Sequence, residues 1–521
     1  MRLFNKTFQV IFLLILLAEF LSFCAYTTPW INTLSFFVVT FLVLIASIYK
    51  LEFGFLAVLT ELLIGSKGYL FYFDFNEKTI SIRIAIWSMV ILIWSVRTLL
   101  TAIKNKKTIF NWRGSSSFFY FLSFFIFIFL ALINGQINHN SPSSIFFDFN
   151  GWLYLALIFP AYDLIIARKR EITQNVLRMF LAATIWLAFK TLVLVFLFSH
   201  DIGDIIFVIY RWIRTTGVGE VTLIQGGFYR VFFQSHVYLL ISFLLALIAL
   251  SGNHLLEKIK IKKLKKKNIF IVCYCFFVMI FSVNLINFSR SNWLGLTAAI
   301  FLLFLILIIT KNWQQLLKVF WILSSGLVLS ALLIVAIVNF PLFNPIGGFK
   351  TTQLLSDRAT AFNNEAGASS RWALLPELWK EIVKQPLFGQ GFGATVTYRT
   401  SDPRILENNP SGLYTTYAFE WGWLDIWLKL GFVGLLSYLA LLFKIYFFDV
   451  YKILKLTTKE PPNLLNDANN VTVIVLSLGM VTLMVVSIFS PYLNHPLGFG
   501  YLVISSVFIE KIKNDVNILK S

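Results

Sequence analysis

The chain has 521 residues, of which 58% are hydrophobic and only 13% are charged, about half the charged fraction that is usual in soluble domains. Its formal net charge of +19 would suggest a nucleic-acid partner for a soluble protein. Lys and Arg concentrate instead in short loops between long apolar runs, as they do in multi-spanning membrane proteins. Composition therefore excludes a soluble fold and argues against nucleic acid as a partner, and the lack of short alternating segments argues against a membrane β-barrel.

Apolar runs close to 20 residues long recur along the chain, and each is long enough to cross the roughly 30 Å hydrocarbon core of a bilayer. They predict an all-α polytopic membrane protein with about 14 transmembrane helices. The predicted spans are 8–26, 31–49, 53–65, 82–100, 118–133, 152–167, 176–198, 231–250, 269–286, 294–310, 316–338, 422–446, 471–490 and 501–509.

An even number of spans places both termini on the same side of the membrane. The most basic loops, 97–114, 167–170 and 257–268, are then all on that side, which the positive-inside rule identifies as cytoplasmic. We interpret residues 1–521 as one integral membrane domain, and the long polar stretch 340–419 as a large extracytoplasmic loop within it.

Several arginines are predicted at the outer face, where topology alone would disfavour Arg. Three of them lie beside a predicted span or helix. Arg230 lies in GGFYRVFFQSH, Arg290 in NFSRSNWLG, and Arg371 at the head of RWALLPELWKEIVKQPLFGQGFG. Arginine is suited to phosphate, because its planar fork forms paired, charge-assisted hydrogen bonds and stays protonated. The alternative is that each is a boundary side chain reaching toward lipid headgroups.

The stretch after Arg371 has its own local pattern. Ser369 and Ser370 are predicted helix N-caps, and Pro376, which fits a first helical turn, is predicted to open a second short helix. The glycines of LFGQGFG predict tight backbone turns. A nucleotide site is rejected, because no strand–loop–helix context surrounds these glycines.

Two carboxylates follow where the chain re-enters the membrane, in YAFEWGWLDIWLKLG. Five residues separate Glu420 from Asp425, so on a helix they point to different sides. Glu420 is nearer the aqueous side, and a carboxylate beside tryptophans at a membrane boundary is a candidate base. The alternative is an interfacial anchor within an aromatic belt.

Other polar residues have simpler interpretations. Glu61 and Lys190 lie inside predicted spans, where charge is costly, and are predicted to pair with each other. His236 and His495 are predicted near the outer face. Each lacks a second metal-ligand type residue three or four positions away, so both are interpreted as structural.

Taken in order, SRSNWLG, RWALLPELWKEIVKQPLFGQGFG and KLGFVGLL resemble the O-antigen ligase and O-antigen polymerase superfamily of bacterial envelope glycosyltransferases. The similarity covers about residues 226–436. The resemblance implies a C-type glycosyltransferase (GT-C) fold in the bacterial cytoplasmic membrane and a glycan donor carried on undecaprenyl diphosphate. It assigns Arg290 and Arg371 to the diphosphate, with Arg230 as a third candidate.

The chain departs from the family at the proposed base. Counting back from Gly431, Glu420 stands where the family has a histidine and Trp421 where it has an asparagine. Lys429 stands where the family has an acidic residue. A carboxylate is the usual base of inverting sugar transfer, so Glu420 preserves a base at this position.

The resulting hypothesis is an inverting, metal-independent and cofactor-free polymerase of lipid-linked oligosaccharide repeat units. The glycan acceptor and membrane lipids are its other expected partners, together with a chain-length regulator and a flippase. One alternative is a ligase that transfers the glycan to a lipid core or a protein. Another is a transporter or flippase of lipid-linked sugar or a small anion, although the sequence shows no internal repeat of the kind common in transporters.

Overall fold

The computed structural model describes residues 4–75, 78–105, 115–166, 171–224, 228–252, 266–346, 366–407, 409–457, 465 and 467–518. Parts of the three basic loops that set the predicted topology lie outside these ranges, as do residues 347–365 of the predicted large loop.

The described part is mainly helical. Its first helices are α1 (Lys6–Thr27), α2 (Pro29–Tyr49), α3 (Leu51–Ile64), α4 (Ile82–Asn105), α5 (Phe118–Ile137), α6 (Pro142–Asn150), the 3-10 helix Gly151–Leu157, α7 (Ile158–Ile165), α8 (Glu171–Phe198) and α9 (Ile205–Thr215). The later helices are α10 (His236–Ser251), α11 (Lys266–Ile286), α12 (Arg290–Ile309), α13 (Trp313–Val338), α14 (Ala366–Lys384), α15 (Pro403–Leu406), α16 (Gly422–Phe443), the π-helix Lys444–Asp449, α17 (Val450–Thr457), α18 (Ala468–Val486), the 3-10 helix Tyr492–Asn494 and α19 (Pro496–Ile518).

Within the described ranges, three antiparallel hairpins connect helices at their ends. They are β1–β2 (Tyr72–Phe75 with Lys78–Ser81), β3–β4 (Glu220–Leu223 with Tyr229–Phe232) and β5–β6 (Val396–Arg399 with Leu413–Thr416).

Eleven helical segments in the described ranges are long and apolar enough to cross a membrane. This confirms an all-α polytopic membrane protein, whereas the number of about 14 spans and the C-type glycosyltransferase fold stay predictions. Three helices at positions of predicted spans fall outside the eleven: α3, α10 and α19. Apolar side chains on the outside of the bundle, such as Leu13, Phe119 and Trp321, are more than half exposed, as expected for surfaces that face lipid.

Charges inside the bundle are paired, but not as predicted. Glu61 on α3 accepts from Arg83 Nε on α4 at 2.8 Å, and Lys190 on α8 donates to Glu19 on α1 at 2.6 Å. The predicted Glu61–Lys190 pair is therefore wrong. Helices α3 and α8 are also in contact, so Glu61 and Lys190 lie on neighbouring helices and still pair with other residues.

The predicted division of α14 into two short helices is also wrong. One helix runs from Ala366 to Lys384 with Pro376 in its interior, and Ser369 and Ser370 lie within it rather than at its N-cap. An interior proline costs about 3 kcal/mol. Leu374, Leu378 and Ile382 are buried on both sides of the proline, and such side chains contribute roughly 1.5–3 kcal/mol each. Burial of these side chains on one continuous helix face therefore contributes more free energy than the interior proline costs.

Helix α16 is broken near its middle. Gly431 has φ 74° and ψ 173°, far from helical values. Residues 386–393, which we call the glycine strap, lie against this break. Gly389, Gly391 and Gly393 have φ between 71° and 81°, so the predicted tight turns are confirmed.

The strap supplies the hydrogen bonds that the break removes. In an uninterrupted helix the N–H groups of Phe432 and Val433 would bond to the carbonyls of Leu428 and Lys429. Here those two N–H groups donate to strap carbonyls at 2.8 and 3.2 Å, and those two carbonyls accept from strap N–H groups at 2.7 and 3.1 Å. A break at membrane depth is tolerated only where protein satisfies the freed backbone groups, so helix and strap form one unit.

We predict that Gly431→Ala strongly destabilises the protein. A Cβ at this position would lie 2.2 Å from the carbonyl oxygen of Leu387, in addition to the positive φ. Gly203 is the matched control, because it also has a positive φ, 77°, but open space around its Cβ position. Gly203→Ala should lower the free energy of unfolding only by the conformational cost of a positive φ, about 1–2 kcal/mol. Gly431→Ala should lower it clearly more. Thermal unfolding of the detergent-solubilised variants measures both, and equal losses would show that the strap does not confine Gly431.

Candidate functional site

A cavity of about 380 Å³ opens at one end of the helix bundle. Four parts of the chain form its wall: the β3–β4 hairpin, the N-terminus of α12, the region of α14 and α16 that faces it, and the connection from α18 to α19. The lining residues are Glu220, Arg230, Phe232, Gln234, Phe288, Ser289, Arg290, Ser291, Arg371, Glu420, Phe489, Ser490, Pro491, Tyr492 and His495.

Arg230 ties the hairpin to the start of α12. It lies on β4, and its Nε donates to the backbone carbonyl of Asn287 at 2.7 Å. Its guanidinium carbon lies 4.8 Å from the ring centroid of Phe232 on the same strand. These two contacts hold the guanidinium at the cavity wall.

Arg290 is the first residue of α12, so it sits at the positive end of a 20-residue helix. The Ser289 hydroxyl caps this helix by accepting from the N–H of Asn292. A helix N-terminus attracts anions through its free N–H groups and its dipole. The side chain and the backbone of this segment therefore both favour a negatively charged ligand.

The N-terminus of α12 is held close to α18. A Cβ on Gly295 would lie 2.8 Å from the carbonyl oxygen of Thr482, so the two helices approach as only glycine allows. The hydroxyls of Ser291 and Ser490 lie 3.1 Å apart, one on each side of the contact. This contact brings the connection after α18 into the cavity wall.

Arg371 and Glu420 face each other across the cavity wall. The Nε of Arg371 donates to the carboxylate of Glu420. Trp421 fixes the two segments relative to one another, because its indole N–H donates to the backbone carbonyl of Arg371 at 3.0 Å. Trp372 packs edge-on against Trp421, with ring centroids 5.4 Å apart.

All four residues predicted from the sequence, Arg230, Arg290, Arg371 and Glu420, thus line one cavity. They come from positions up to 190 residues apart in the chain. With the three guanidinium groups facing two carboxylates, Glu220 and Glu420, the lining charge is positive. Such a site suits an anionic ligand. The individual roles of the four residues stay predictions.

Asp425 points away from the cavity, as its spacing from Glu420 predicts. It forms an ion pair with Lys429 at 2.6 Å, and Lys429 also pairs with Asp148 on α6 at 2.6 Å. The side-chain amide of Asn494 donates to Asp425. The Lys429 ammonium lies 5.5 Å from the ring centroid of Phe419, so this buried network supports the residue directly before Glu420.

His236 and His495 have different positions. His236 is buried, and its Nε2 lies 3.0 Å from the hydroxyl of Thr191. His495 lines the cavity, and its Nδ1 accepts from the N–H of Leu497. Burial, and then the positive charges of Arg83 and Lys67, lower the pKa of His495 from 6.5 to about 3. His495 is therefore neutral at physiological pH, and it is a lining residue that the structural interpretation of the sequence did not anticipate.

Of the two lining carboxylates, Glu220 is the one that no sequence pattern singled out. It lies in a four-residue strand between two helices, outside the regions of family resemblance. Only the hairpin register, which pairs Glu220 with Phe232, places it in the wall. A signal of this kind depends on strand pairing and is not readable from residue spacing.

Residues 275–439 match a protein-family model described as O-antigen ligase. The match confirms the resemblance to the O-antigen ligase and polymerase superfamily in the segment that holds Arg290, Arg371, Glu420 and the broken helix. Arg230 and Glu220 lie before the matched segment. No curated protein sequence matches the chain. The apolar helices and the family match together identify a multi-pass integral membrane protein with glycan-transferring relatives.

We predict that Lys429→Met lowers the free energy of unfolding by about 3–5 kcal/mol, because it leaves Asp148 and Asp425 as buried carboxylates without their cation. Lys380→Met is the matched control. Lys380 pairs with Glu377 at 2.8 Å in an exposed position, and such pairs contribute at most about 1 kcal/mol. Thermal unfolding distinguishes the two, and equal effects would mean that the buried network contributes no more than a surface pair.

The pKa of His495 predicts a specific pH dependence. In the unfolded protein His495 binds a proton below about pH 6.5, whereas in the folded protein it stays neutral. The free energy of unfolding should therefore fall as the pH falls, by up to about 1.4 kcal/mol per pH unit. His495→Gln should remove this part of the loss. The melting temperatures of the wild type and of His495→Gln, measured from about pH 7.5 to about pH 5, should therefore converge or cross as the pH falls. Parallel curves for wild type and variant would contradict the assignment.

Proposed function

Because residues 275–439 match the O-antigen ligase family, we propose that the protein is a glycosyltransferase that polymerises undecaprenyl diphosphate-linked oligosaccharide repeat units. The reaction takes place at the extracytoplasmic face of the bacterial cytoplasmic membrane, with both termini of the chain in the cytoplasm. The observation that carries the proposal is the convergence of Arg230, Arg290, Arg371 and Glu420 on one cavity.

In the proposed reaction, an acceptor hydroxyl attacks the anomeric carbon of the donor glycan with inversion. The bond between that carbon and the diphosphate oxygen breaks, and undecaprenyl diphosphate leaves with the bonding electrons. Glu420 takes the hydroxyl proton. The three guanidinium groups stabilise the charge that develops on the leaving diphosphate, which is the electrostatic logic of an oxyanion hole. They supply this positive charge themselves, so the proposal requires no metal ion.

The contact between Arg371 and Glu420 gives the reaction an order. A carboxylate paired with an arginine is a weaker base, because the opposite charge favours its ionised form. A diphosphate that binds Arg371 competes with Glu420 for the guanidinium and releases the carboxylate. The base therefore becomes effective after the donor has bound.

The ligase activity named by the family description is the second candidate. A ligase would use the same donor, cavity and proton acceptor, and would transfer the glycan to a lipid core or a protein. A deletion strain separates the two: single repeat units accumulate if a polymerase is missing, and complete polymer stays on its carrier if a ligase is missing. Unchanged glycan accompanied by a transport defect would favour the transporter alternative.

A polymerase of this kind needs further proteins. A flippase must present the lipid-linked repeat unit at the outer face, and a chain-length regulator is the expected partner that limits extension. Pull-down of the solubilised protein from membranes, followed by identification of co-purifying membrane proteins, tests these partners. The orientation is tested by labelling cysteines introduced at position 371 and near either terminus with a membrane-impermeant reagent.

We predict that Arg290→Ala and Arg371→Ala each reduce glycan lengthening by about a hundredfold or more, the scale on which a preorganised charge-stabilising donor acts. Arg399→Ala is the control, because Arg399 lies on β5 and is exposed outside the cavity lining. Glycan from complemented deletion strains is compared by gel electrophoresis, with immunoblots to show equal insertion. Normal polymer from both cavity variants would refute the assignment.

Substitution of Glu420 tests the proposed base. Glu420→Gln should reduce turnover by roughly 10²–10⁴-fold, because an amide cannot take the proton. Glu420→His restores a titratable base of the type that relatives carry at this position, and should retain measurable turnover. Initial rates of the purified enzyme in vesicles provide the comparison, and full activity of Glu420→Gln would show that the proton goes elsewhere.

A further inference from the structure

Glu220 presents a carboxylate to the cavity from the β3–β4 hairpin. It is paired in register with Phe232, and Arg230 lies two residues before Phe232 on the same strand. Residues that are directly opposite, or two positions apart on one strand, share a face of a hairpin. All three line the cavity, so one hairpin face forms this wall.

The Glu220 carboxylate is available for a ligand. Its ion pair with Arg214 is long, at 3.9 Å, and the two side chains are 44% and 38% exposed. Pairs of this kind contribute little to stability. Glu420, in contrast, is bound by Arg371, and Asp425 is buried against Lys429. Of these three carboxylates, Glu220 has the weakest structural role.

Its charge indicates which part of a substrate it would contact. A diphosphate held by Arg230, Arg290 and Arg371 is negatively charged, so Glu220 repels it. A carboxylate is an acceptor of hydrogen bonds and binds donors such as sugar hydroxyls. Both the donor glycan and the acceptor glycan carry such hydroxyls. The arginines already anchor the donor through its diphosphate, so the acceptor glycan is the part that needs a further contact.

We propose, on the basis of the function proposed above, that Glu220 binds the acceptor glycan by accepting hydrogen bonds from hydroxyl groups of its reacting sugar. The arginines hold the donor diphosphate, and Glu220 positions the acceptor whose hydroxyl proton passes to Glu420. The same charge selects among acceptors. A neutral or amino-bearing sugar is accepted, whereas a uronic acid at the reacting position is repelled by the like charge.

The test uses the full-length protein in vesicles and compares Glu220→Gln and Glu220→Asp with two controls. Arg214→Gln breaks the ion pair and leaves the Glu220 carboxylate in place. Glu377→Gln removes a carboxylate of similar exposure, 40%, that lies outside the cavity lining. The substrate is lipid-linked oligosaccharide extracted from a strain deleted for the gene. Binding of labelled undecaprenyl diphosphate is measured separately and reports on the diphosphate site that the arginines form.

Glu220→Gln should raise the KM for extension roughly ten- to a hundredfold, the value of a hydrogen bond to a charged group, with kcat changed only a few-fold. Glu220→Asp should recover part of the affinity. Binding of undecaprenyl diphosphate to Glu220→Gln should be unchanged or tighter, because a repelling charge is gone. Both controls should behave as wild type.

Three results would overturn the proposal. An equal rise of KM in Arg214→Gln would show that Glu220 acts only through its ion pair. A collapse of kcat with unchanged KM would make Glu220 the proton acceptor instead, and weaker undecaprenyl diphosphate binding would place it on the donor side. Failure of the proposed function appears differently, as undecaprenyl diphosphate binding that is absent in the wild type or unaffected by Arg290→Ala.

Discussion

The break in α16 at Gly431 is the constraint on which the site depends. Two helical hydrogen bonds are lost there, and the glycine strap replaces them with four bonds to its own backbone. Because the strap follows α14 directly, the break fixes where α14 lies over the bundle. It therefore sets the position of Arg371 relative to Glu420, which precedes the same broken helix. The strap glycines and Gly431 all lie within the matched segment, and they are two halves of one structural unit.

Charge is distributed in two layers around this unit. In the buried layer the ammonium of Lys429 forms ion pairs with both Asp148 and Asp425, and these three side chains are only a few per cent exposed. The cavity layer carries more guanidinium groups than carboxylates along its lining. Lys429, which stands where the resembled family has an acidic residue, belongs to the first layer, where its one positive charge lies between two carboxylates. Its substitution thus changes how the wall is supported rather than what the cavity presents to a ligand.

The sequence predicted those site residues whose type is unusual for their predicted place in the membrane topology. Arginines at an outer face and a carboxylate at a membrane re-entry are unusual, and the structure brings Arg230, Arg290, Arg371 and Glu420 to one cavity. Helix existence was also predictable, since about 20 apolar residues have few other solutions. These inferences need only composition and local order.

What the sequence could not supply depended on partners distant in the chain. The continuity of α14 through Pro376 rests on a buried face that exists only when the helix is packed. Glu61 and Lys190 pair with Arg83 and Glu19, residues on other helices that residue spacing does not connect to them. The position of Glu220 depends on a strand register. The tight turns of the strap were predictable, while the break in the helix that they repair was not.

The broken helix also has a consequence for biogenesis. The strap is synthesised before α16 and belongs to the loop assigned to the opposite side from the ribosome, so α16 leaves the translocon with unpaired backbone groups unless the strap has already crossed and folded. The loop therefore helps α16 to enter the bilayer, because it satisfies backbone groups that lipid cannot. Shortening or replacing the loop should reduce membrane integration of the protein, and not only its catalytic activity.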